Sequence, residues 1–349
     1  MAKKKKSFLL KIFISLFVIT LLGVGAGVYW ILKKPNVSLG DKKSKIIYIK
    51  TGSSFEDVLG VLYDNNVLIN RTSFEWLAER KNYKKNIKPG KYRVLARMGN
   101  NELINLLRAG VQEPVDIILS NIRTKEQLVS RVCLRLEADS IEMSDKLNDN
   151  TYMGKYGFNS ANAIALFIPN TYQFYWNTSA DQFMDRMAKE YKKFWTDGKK
   201  QKAKETGLSQ ADVITLASIV QAEQYRFNDE KKIIAGLYLN RLKIKMPLQS
   251  DPTLIFASGN FSICRVLNED KEIDSPYNTY KNSGLPPGPI CLPELSSVDA
   301  VLNYQPNNYI YMCAKEDFSG RHNFSKTLDQ HNIFAAKYRV ALNKKNIKR

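Results

Sequence analysis

The hydrophobic pattern opens with one long block. Ile12 to Leu32 is 21 residues without a charge, behind Lys3 to Lys6 and Lys11 and ahead of Lys33 and Lys34. A helix rises about 1.5 Å per residue, so ~20 residues cross the ~30 Å core of a bilayer. The pattern predicts a membrane-crossing helix over 12–32, with Tyr29 and Trp30 at the interface. The run is longer than the apolar core of a signal peptide, Gly25-Ala26-Gly27 is a weak cleavage match, and no Cys follows. It therefore reads as an uncleaved anchor. The lysines on its leading side predict a cytoplasmic stretch at 1–11 and an exported body, held at the inner (cytoplasmic) membrane. Gly23-x-x-x-Gly27 fits a helix-pairing face, but small residues simply tolerated in a span are the plainer reading.

After a polar linker over 33–45, the period changes. Ile46 to Ile49 is β-branched and aromatic and reads as a strand. Thr51 to Ser54 is a turn, and Ser54 is placed to cap a helix over 55–65 whose inner stripe is Val58, Leu59 and Leu62. A second helix is predicted over 73–80, a strand over 91–95, and a helix over 102–108 that Gly110 stops. Residues 46–112 thus read as one compact unit, strand–helix–helix–strand–helix. A new unit, 113–349, starts with a strand at 117–119. It continues with an amphipathic stretch over 124–136, polar helical pieces over 139–160, an extended segment broken by Pro169, and a helix over 180–194. The whole is expected to be α+β.

The pattern most suggestive of chemistry follows Ser209-Gln210-Ala211-Asp212, a capping box. In the helix after it, Leu216, Ile219, Val220 and Glu223 fall at i, i+3, i+4 and i+7, on one face. A carboxyl on a buried stripe resists ionisation, and that is the condition for a general acid near neutral pH. The alternative is a helix-end Glu that turns to water or pairs with Arg226. Gln221 is rotated about 200° from Glu223, at ~100° per residue. The next helix, over 229–242, carries Ile233, Ile234, Leu237 and Arg241 near one face. Leu248 to Thr253 reads as a Pro-fixed extended loop. Ser275 to Tyr280 and Gly284 to Ile290 read as stiff loops. Their aromatic and amide groups suit sugar rings and hydroxyls, and suit structural turns equally well.

Composition narrows the class. Apolar residues are 44% and charged residues 25%, which excludes a disordered or low-complexity chain. The net charge is +19, of which seven lysines lie in residues 1–34, so about +12 remains on the exported part. An exported, tethered body does not meet nucleic acid, so an anionic membrane surface or cell-wall polymer is the fitting partner; a basic surface kept for solubility is the plainer reading. Cys133, Cys264, Cys291 and Cys313 form no C-x-x-C pair, which excludes a zinc ribbon and leaves disulfide pairing open. His322 and His331 lack the spacing of a helical zinc pair, and no H-E-x-x-H, G-x-S-x-G, P-loop or dinucleotide fingerprint occurs. No metal and no organic cofactor is expected.

Six segments stand in a recognisable order: Leu216-Ala217-Ser218-Ile219-Val220-x-x-Glu223, Asn240-Arg241-Leu242, Leu248-Gln249-x-Asp251-Pro252-Thr253, Tyr277-Asn278-Thr279-Tyr280, Gly284-Leu285-Pro286-Pro287-Gly288-Pro289-Ile290, and His322-x-Phe324 with His331-Asn332. With the single N-terminal span, they closely resemble the endolytic murein transglycosylases of the YceG-like family. The resemblance implies a bacterial, membrane-anchored lyase, with a small LysM-like glycan-binding subdomain (46–112) before an α+β catalytic domain (113–349). It implies peptidoglycan glycan strands as substrate and cell-wall synthases as partners. The family's catalytic Glu falls on Glu223, with Gln249, Asp251, Tyr277, Asn278 and His322 as substrate-orienting candidates. The chain departs from the family pattern where an earlier acid has become Gln221, where F-P-D-T-Y reads Ile168-Pro169-Asn170-Thr171-Tyr172, and where N-P-G reads Leu292-Pro293-Glu294.

The implied reaction cleaves the MurNAc–GlcNAc bond inside nascent strands, leaves 1,6-anhydro-MurNAc ends and stops strand elongation. Two rivals stand beside it: a non-catalytic glycan-binding scaffold for cell-wall synthases, and a muramidase-type hydrolase.

Overall fold

The computed structural model describes residues 2–263 and 265–345. The chain divides into two compact units, one of residues 1–115 with 173–178, the other of 116–172 with 179–349. In chain order the elements of the first are α1 (Ala2–Lys33), β1 (Ser44–Ile49), α2 (Phe55–Asp64), α3 (Arg71–Arg80), β2 (Gly90–Leu95) and α4 (Asn100–Ala109).

Within α1, Lys11–Lys33 is long and apolar enough to cross a membrane, and its side chains are exposed along most of that length. β1 and β2 are antiparallel, with Ile47 opposite Tyr92 and Ile49 opposite Gly90. Their period-2 alternation sends Ile47, Ile49, Tyr92 and Val94 inward. Val58 and Leu62 of α2, Phe74 and Leu77 of α3, and Leu103, Ile104 and Leu107 of α4 complete one core. Each such side chain contributes roughly 1.5–3 kcal/mol on burial. Ser54 caps α2 in a capping box with Asp57, and Gly110, at φ 72°, ends α4 in the left-handed conformation a side chain would disfavour. α4 begins two residues earlier than its apolar pattern indicates, because Glu102 reaches back to accept from the Gly99 amide at 3.2 Å.

The polar stretch read as a linker over 33–45 packs into this unit. Pro35 and Val37 bridge to Gly99 and Leu68, and both Asn36 and Val37 are buried. The cause is an asparagine network. Asn36 Nδ2 donates to Asn100 Oδ1 at 2.6 Å, and Asn100 Nδ2 donates to Ser73 Oγ at 3.0 Å and to the Ile31 carbonyl at 3.3 Å. Residues 173–178, which no pattern in the sequence assigns here, join the unit with the Trp176 ring 5.0 Å from Tyr48.

The remaining elements are β3 (Val115–Leu119), α5 (Lys125–Cys133), α6 (Ser140–Asn148), α7 (Asn150–Gly154), β4 (Asn170–Phe174), α8 (Ala180–Phe194), α9 (Asp197–Thr206), α10 (Gln210–Glu223), α11 (Asn228–Lys243), α12 (Asp251–Ser258), α13 (Leu295–Leu302), β5 (Tyr311–Ala314), β6 (His322–Ser325) and α14 (Leu328–Lys344). β3 pairs with β4 and β5 with β6, each as a two-stranded sheet. The chain is thus mixed helix and sheet.

α10 is the centre of the second unit and packs on α11, α12 and α13. Its expected one-sided stripe is not what forms: every residue from Val213 to Gln221 is buried. A helix apolar on all sides lies inside the domain rather than on its surface. The stretch expected as an extended loop before Thr253 also differs. Pro252 sits in the first turn of α12, where its missing N–H costs nothing and its fixed φ suits a helix start.

Candidate active site

Glu223 is the last residue of α10. Its Oε1 accepts two hydroxyl hydrogen bonds, from Tyr238 of α11 at 2.8 Å and from Ser250 at 2.5 Å. Oε2 takes no hydrogen bond from the described residues. Glu223 turns neither to open water nor to Arg226; it lines a cavity of about 430 Å³ shared with Tyr238, Arg241, Gln249, Asp251 and His322. Although part of the residue faces that space, loss of hydration dominates and pushes its pKa up. The two hydroxyls and the nearby His322 pull the value back down, and the Asp251 carboxylate adds a smaller upward push.

The loop after α12 supports this arrangement. Ser250 is wholly buried, and its amide donates to Thr279 Oγ1 at 3.0 Å. Thr253 Oγ1 stands 2.8 Å from the same Thr279 oxygen and donates to the Ser250 carbonyl at 2.7 Å. Gln249 is held at φ 50°, with its backbone amide donating to the Thr279 carbonyl at 3.0 Å, and its side chain is exposed on the cavity wall. Tyr280 donates to Asp251 Oδ1 at 2.5 Å, and burial with this carboxylate raises the phenol's pKa.

His322 opens β6. Its amide donates to Glu230 Oε1 at 2.8 Å, and its Nδ1 lies 3.3 Å from Glu230 Oε2. Glu230 is buried and also receives the Gln224 amide, which donates again to the Gly320 carbonyl at 2.9 Å. The residue next to Glu223 is thereby tied to the β5–β6 pair.

Of the sequence-derived candidates, Glu223, Gln249, Asp251 and His322 come together around this cavity. Tyr277 and Asn278 do not line it. The Tyr277 ring lies 4.8 Å from Phe256, and its hydroxyl donates to the Ala161 carbonyl at 3.2 Å. Asn278 is wholly buried; its amide donates to the Lys271 and Ile273 carbonyls, and its oxygen accepts from the Tyr280 and Lys281 amides. Its side chain fixes the loop that holds Ser250.

Ser250, Tyr238, Arg241 and His331 also line or brace the site, though none of them was a site candidate in the sequence. Ser250 stood inside a segment already singled out. Tyr238 lies on another helix, and nothing in its spacing ties it to Glu223. Arg241 is buried with its Nε on the Ile310 carbonyl at 2.6 Å and Nη1 on the Leu248 carbonyl at 2.6 Å. His331 stacks on Tyr311, and burial beside the Arg241 charge lowers its pKa. Among the described residues no three His, Cys, Asp or Glu side chains cluster as a metal site requires. Cys133, Cys291 and Cys313 are free thiols; Cys264 lies outside the described residues.

The model of the YceG-like family matches residues 47–337. The chain belongs to the YceG-like family. This YceG-like chain is 30% identical over 322 residues to a protein of Bacillus subtilis (strain 168) named endolytic murein transglycosylase, covering 87% of the chain and 88% of that protein. It is 25% identical over 312 residues to a protein of the same name from Streptococcus pneumoniae serotype 2, covering 80% of the chain and 55% of that longer protein. Among solved structures, a yceG-like protein from Listeria monocytogenes matches at a TM-score of 0.53 and 28% identity, over 84% of the chain and 99% of that structure.

Proposed function

We propose that the chain is a lytic murein transglycosylase, a lyase that cuts peptidoglycan glycan strands internally, with Glu223 as its acid and base. The observation that carries the reading is the state of Glu223. Burial keeps its carboxyl neutral to higher pH than usual, and two hydroxyls fix Oε1, so the proton belongs on Oε2. The names of its relatives support the same polymer.

In this reading neutral Glu223 gives its proton to the glycosidic oxygen as the C1–O bond of N-acetylmuramic acid breaks. C1 becomes oxocarbenium-like. The C6 hydroxyl of the same sugar closes on C1, and its proton goes to the Glu223 carboxylate, which restores the acid. No water is consumed, and the new end is a 1,6-anhydro sugar. Tyr238 and Ser250 stabilise the carboxylate between the two proton transfers, a charge-assisted contribution worth roughly 1.5–3 kcal/mol each. Gln249, Asp251 and His322 orient the sugar; Tyr277 and Asn278 act on it only through the loop they shape.

The apolar span supports an anchor in the cytoplasmic membrane, N-terminus inside and body exported, where nascent strands emerge from synthases. The compact unit around residues 46–112 takes the part of a LysM-like glycan-binding module, and cutting there ends strand elongation.

A hydrolase remains a second reading because Asp251 places a second carboxyl in the Glu223 cavity, and two-carboxylate glycosidases use such a partner to activate water or attack C1. Mass spectrometry of fragments released from purified strands separates the readings. Anhydro ends, one water lighter than reducing ends, support the lyase. Reducing muramic acid ends point to the hydrolase, and intact strands to a glycan-binding scaffold.

A further inference from the structure

A second cavity of about 450 Å³ adjoins the first across a ridge made by α10 and α12. Ala222 and Pro252 line the second cavity, while their chain neighbours Glu223 and Asp251 line the first. The two cavities differ in chemistry. Around Glu223 the walls offer carboxylate, guanidinium, amide and imidazole groups. Across the ridge they are largely apolar, with Ile122, Ile255, Phe256, Phe261 and Leu292 among them. Arg123 adds a cation there. It is exposed, with its guanidinium over the Phe261 ring at 5.1 Å, and it enters no ion pair among the described residues.

A pyranose carries a hydroxyl or ether oxygen on nearly every carbon and binds best where polar partners are dense. Largely apolar walls with one guanidinium free of ion pairs, and few other polar groups (Asn121, Gln221 and Tyr225), suit something else: a short chain with methyl groups, amides and a carboxylate. Murein supplies one on every muramic acid, where the lactyl group carries a short acidic peptide. A strand held with its scissile bond at Glu223 must lay the branch of a neighbouring muramic acid beside that bond.

We propose that the cavity flanked by Arg123 and Phe261 receives this acidic peptide branch, with the guanidinium on a peptide carboxylate and the aliphatic part of the branch against Phe256 and Phe261. The inference rests on the reading that murein is the substrate. It adds that the protein reads peptide charge as well as the glycan.

The test is equilibrium binding, which requires no cleavage. The full chain in detergent micelles is titrated with two soluble disaccharide-peptides of murein, identical except that the peptide carboxylates are free in one and amidated in the other. The acidic form is expected to bind about tenfold tighter, the size of one charge-assisted hydrogen bond at an exposed site. Arg123→Gln should erase that difference, and Phe261→Ala should weaken both forms alike, with circular dichroism checking that each variant is folded. Equal binding of the two forms by the unaltered chain, retention of the preference in Arg123→Gln, or no binding of either form overturns the proposal. A chain that prefers the acidic peptide yet releases no strand fragments keeps this inference and loses the transglycosylase reading.

Discussion

The Tyr238 hydroxyl stands 2.8 Å from Glu223 Oε1, the same oxygen that Ser250 reaches from the opposite chain segment. Two donors on one oxygen favour the ionised carboxylate, so they hold the Glu223 pKa below where burial alone would set it. Tyr238→Phe and Ser250→Ala should each raise that pKa further. The acid then stays protonated to higher pH, and the alkaline limb of the kcat/KM profile for strand cleavage moves upward. The rate at the optimum should fall roughly tenfold per hydroxyl, the scale of one lost hydrogen bond to a charged group. A pH–rate profile that keeps its alkaline limb in both variants would disconnect these hydroxyls from the acid.

Glu223→Gln keeps the shape of the side chain and removes its proton exchange. Strand cleavage should drop by at least the ~10²–10⁴-fold typical of general acid–base catalysis. Stability should move the other way. The folded pKa of Glu223 lies above its unfolded value, near 4.3. Its contribution is therefore fully present below pH ~4 and is lost as pH rises through the folded pKa. The glutamine does not ionise, so the variant's melting temperature should match the wild type near pH 4 and exceed it increasingly toward neutrality. Thermal unfolding across that range checks the sign, and a difference that shrinks with rising pH would contradict it.

Gln221 looks like a neutral neighbour in the sequence, turned away from Glu223. In the folded chain it is buried, and its Oε1 accepts from the Glu294 amide at 2.5 Å and from Ser297 Oγ at 3.2 Å. Gln221→Ala leaves both donors without that partner. It should destabilise the second unit by roughly 1–3 kcal/mol, seen as a lower denaturant midpoint. An unchanged midpoint would mean that water or a shift of α13 replaces the amide.

The elements of the first unit were legible because its strands alternate and its helices carry end signals: Ser54 and Gly110 mark ends in the sequence as they do in the fold, while the Asn70 cap of α3 emerges only in the structure. The buried setting of Glu223 was legible for a reason only half right. Its stripe of Leu216, Ile219 and Val220 is buried, but so is the rest of α10, and periodicity cannot rank residues on a helix enclosed all round. The groups that fix its carboxyl, Tyr238 of α11 and Ser250 just before α12, lie 15 and 27 residues away. Long-range pairs of this kind leave no local period. Asn278 shows the reverse error: an amide on a stiff loop suits a sugar, yet four backbone groups had already claimed it.

The asparagine network predicts how the apolar helix α1 meets the rest of its unit. Asn100 joins the Ile31 carbonyl at the end of α1 to Ser73 at the start of α3, and its oxygen receives Asn36 from the stretch between. Three partners converge on one side chain that is only 2% exposed. Asn100→Leu fills the space but leaves those groups unsatisfied, at a cost of roughly 1–3 kcal/mol for each buried polar group stranded. The loss falls on local opening of residues 33–45 rather than on the core of Phe74, Leu103 and Leu107, which keeps its packing. Limited proteolysis of the full chain should therefore leave the wild type uncut at Lys42 and Lys43 under conditions that cleave Asn100→Leu there, with the released body still folded by circular dichroism. Equal resistance in both proteins would show that the bridges of Pro35 and Val37 hold the stretch without Asn100.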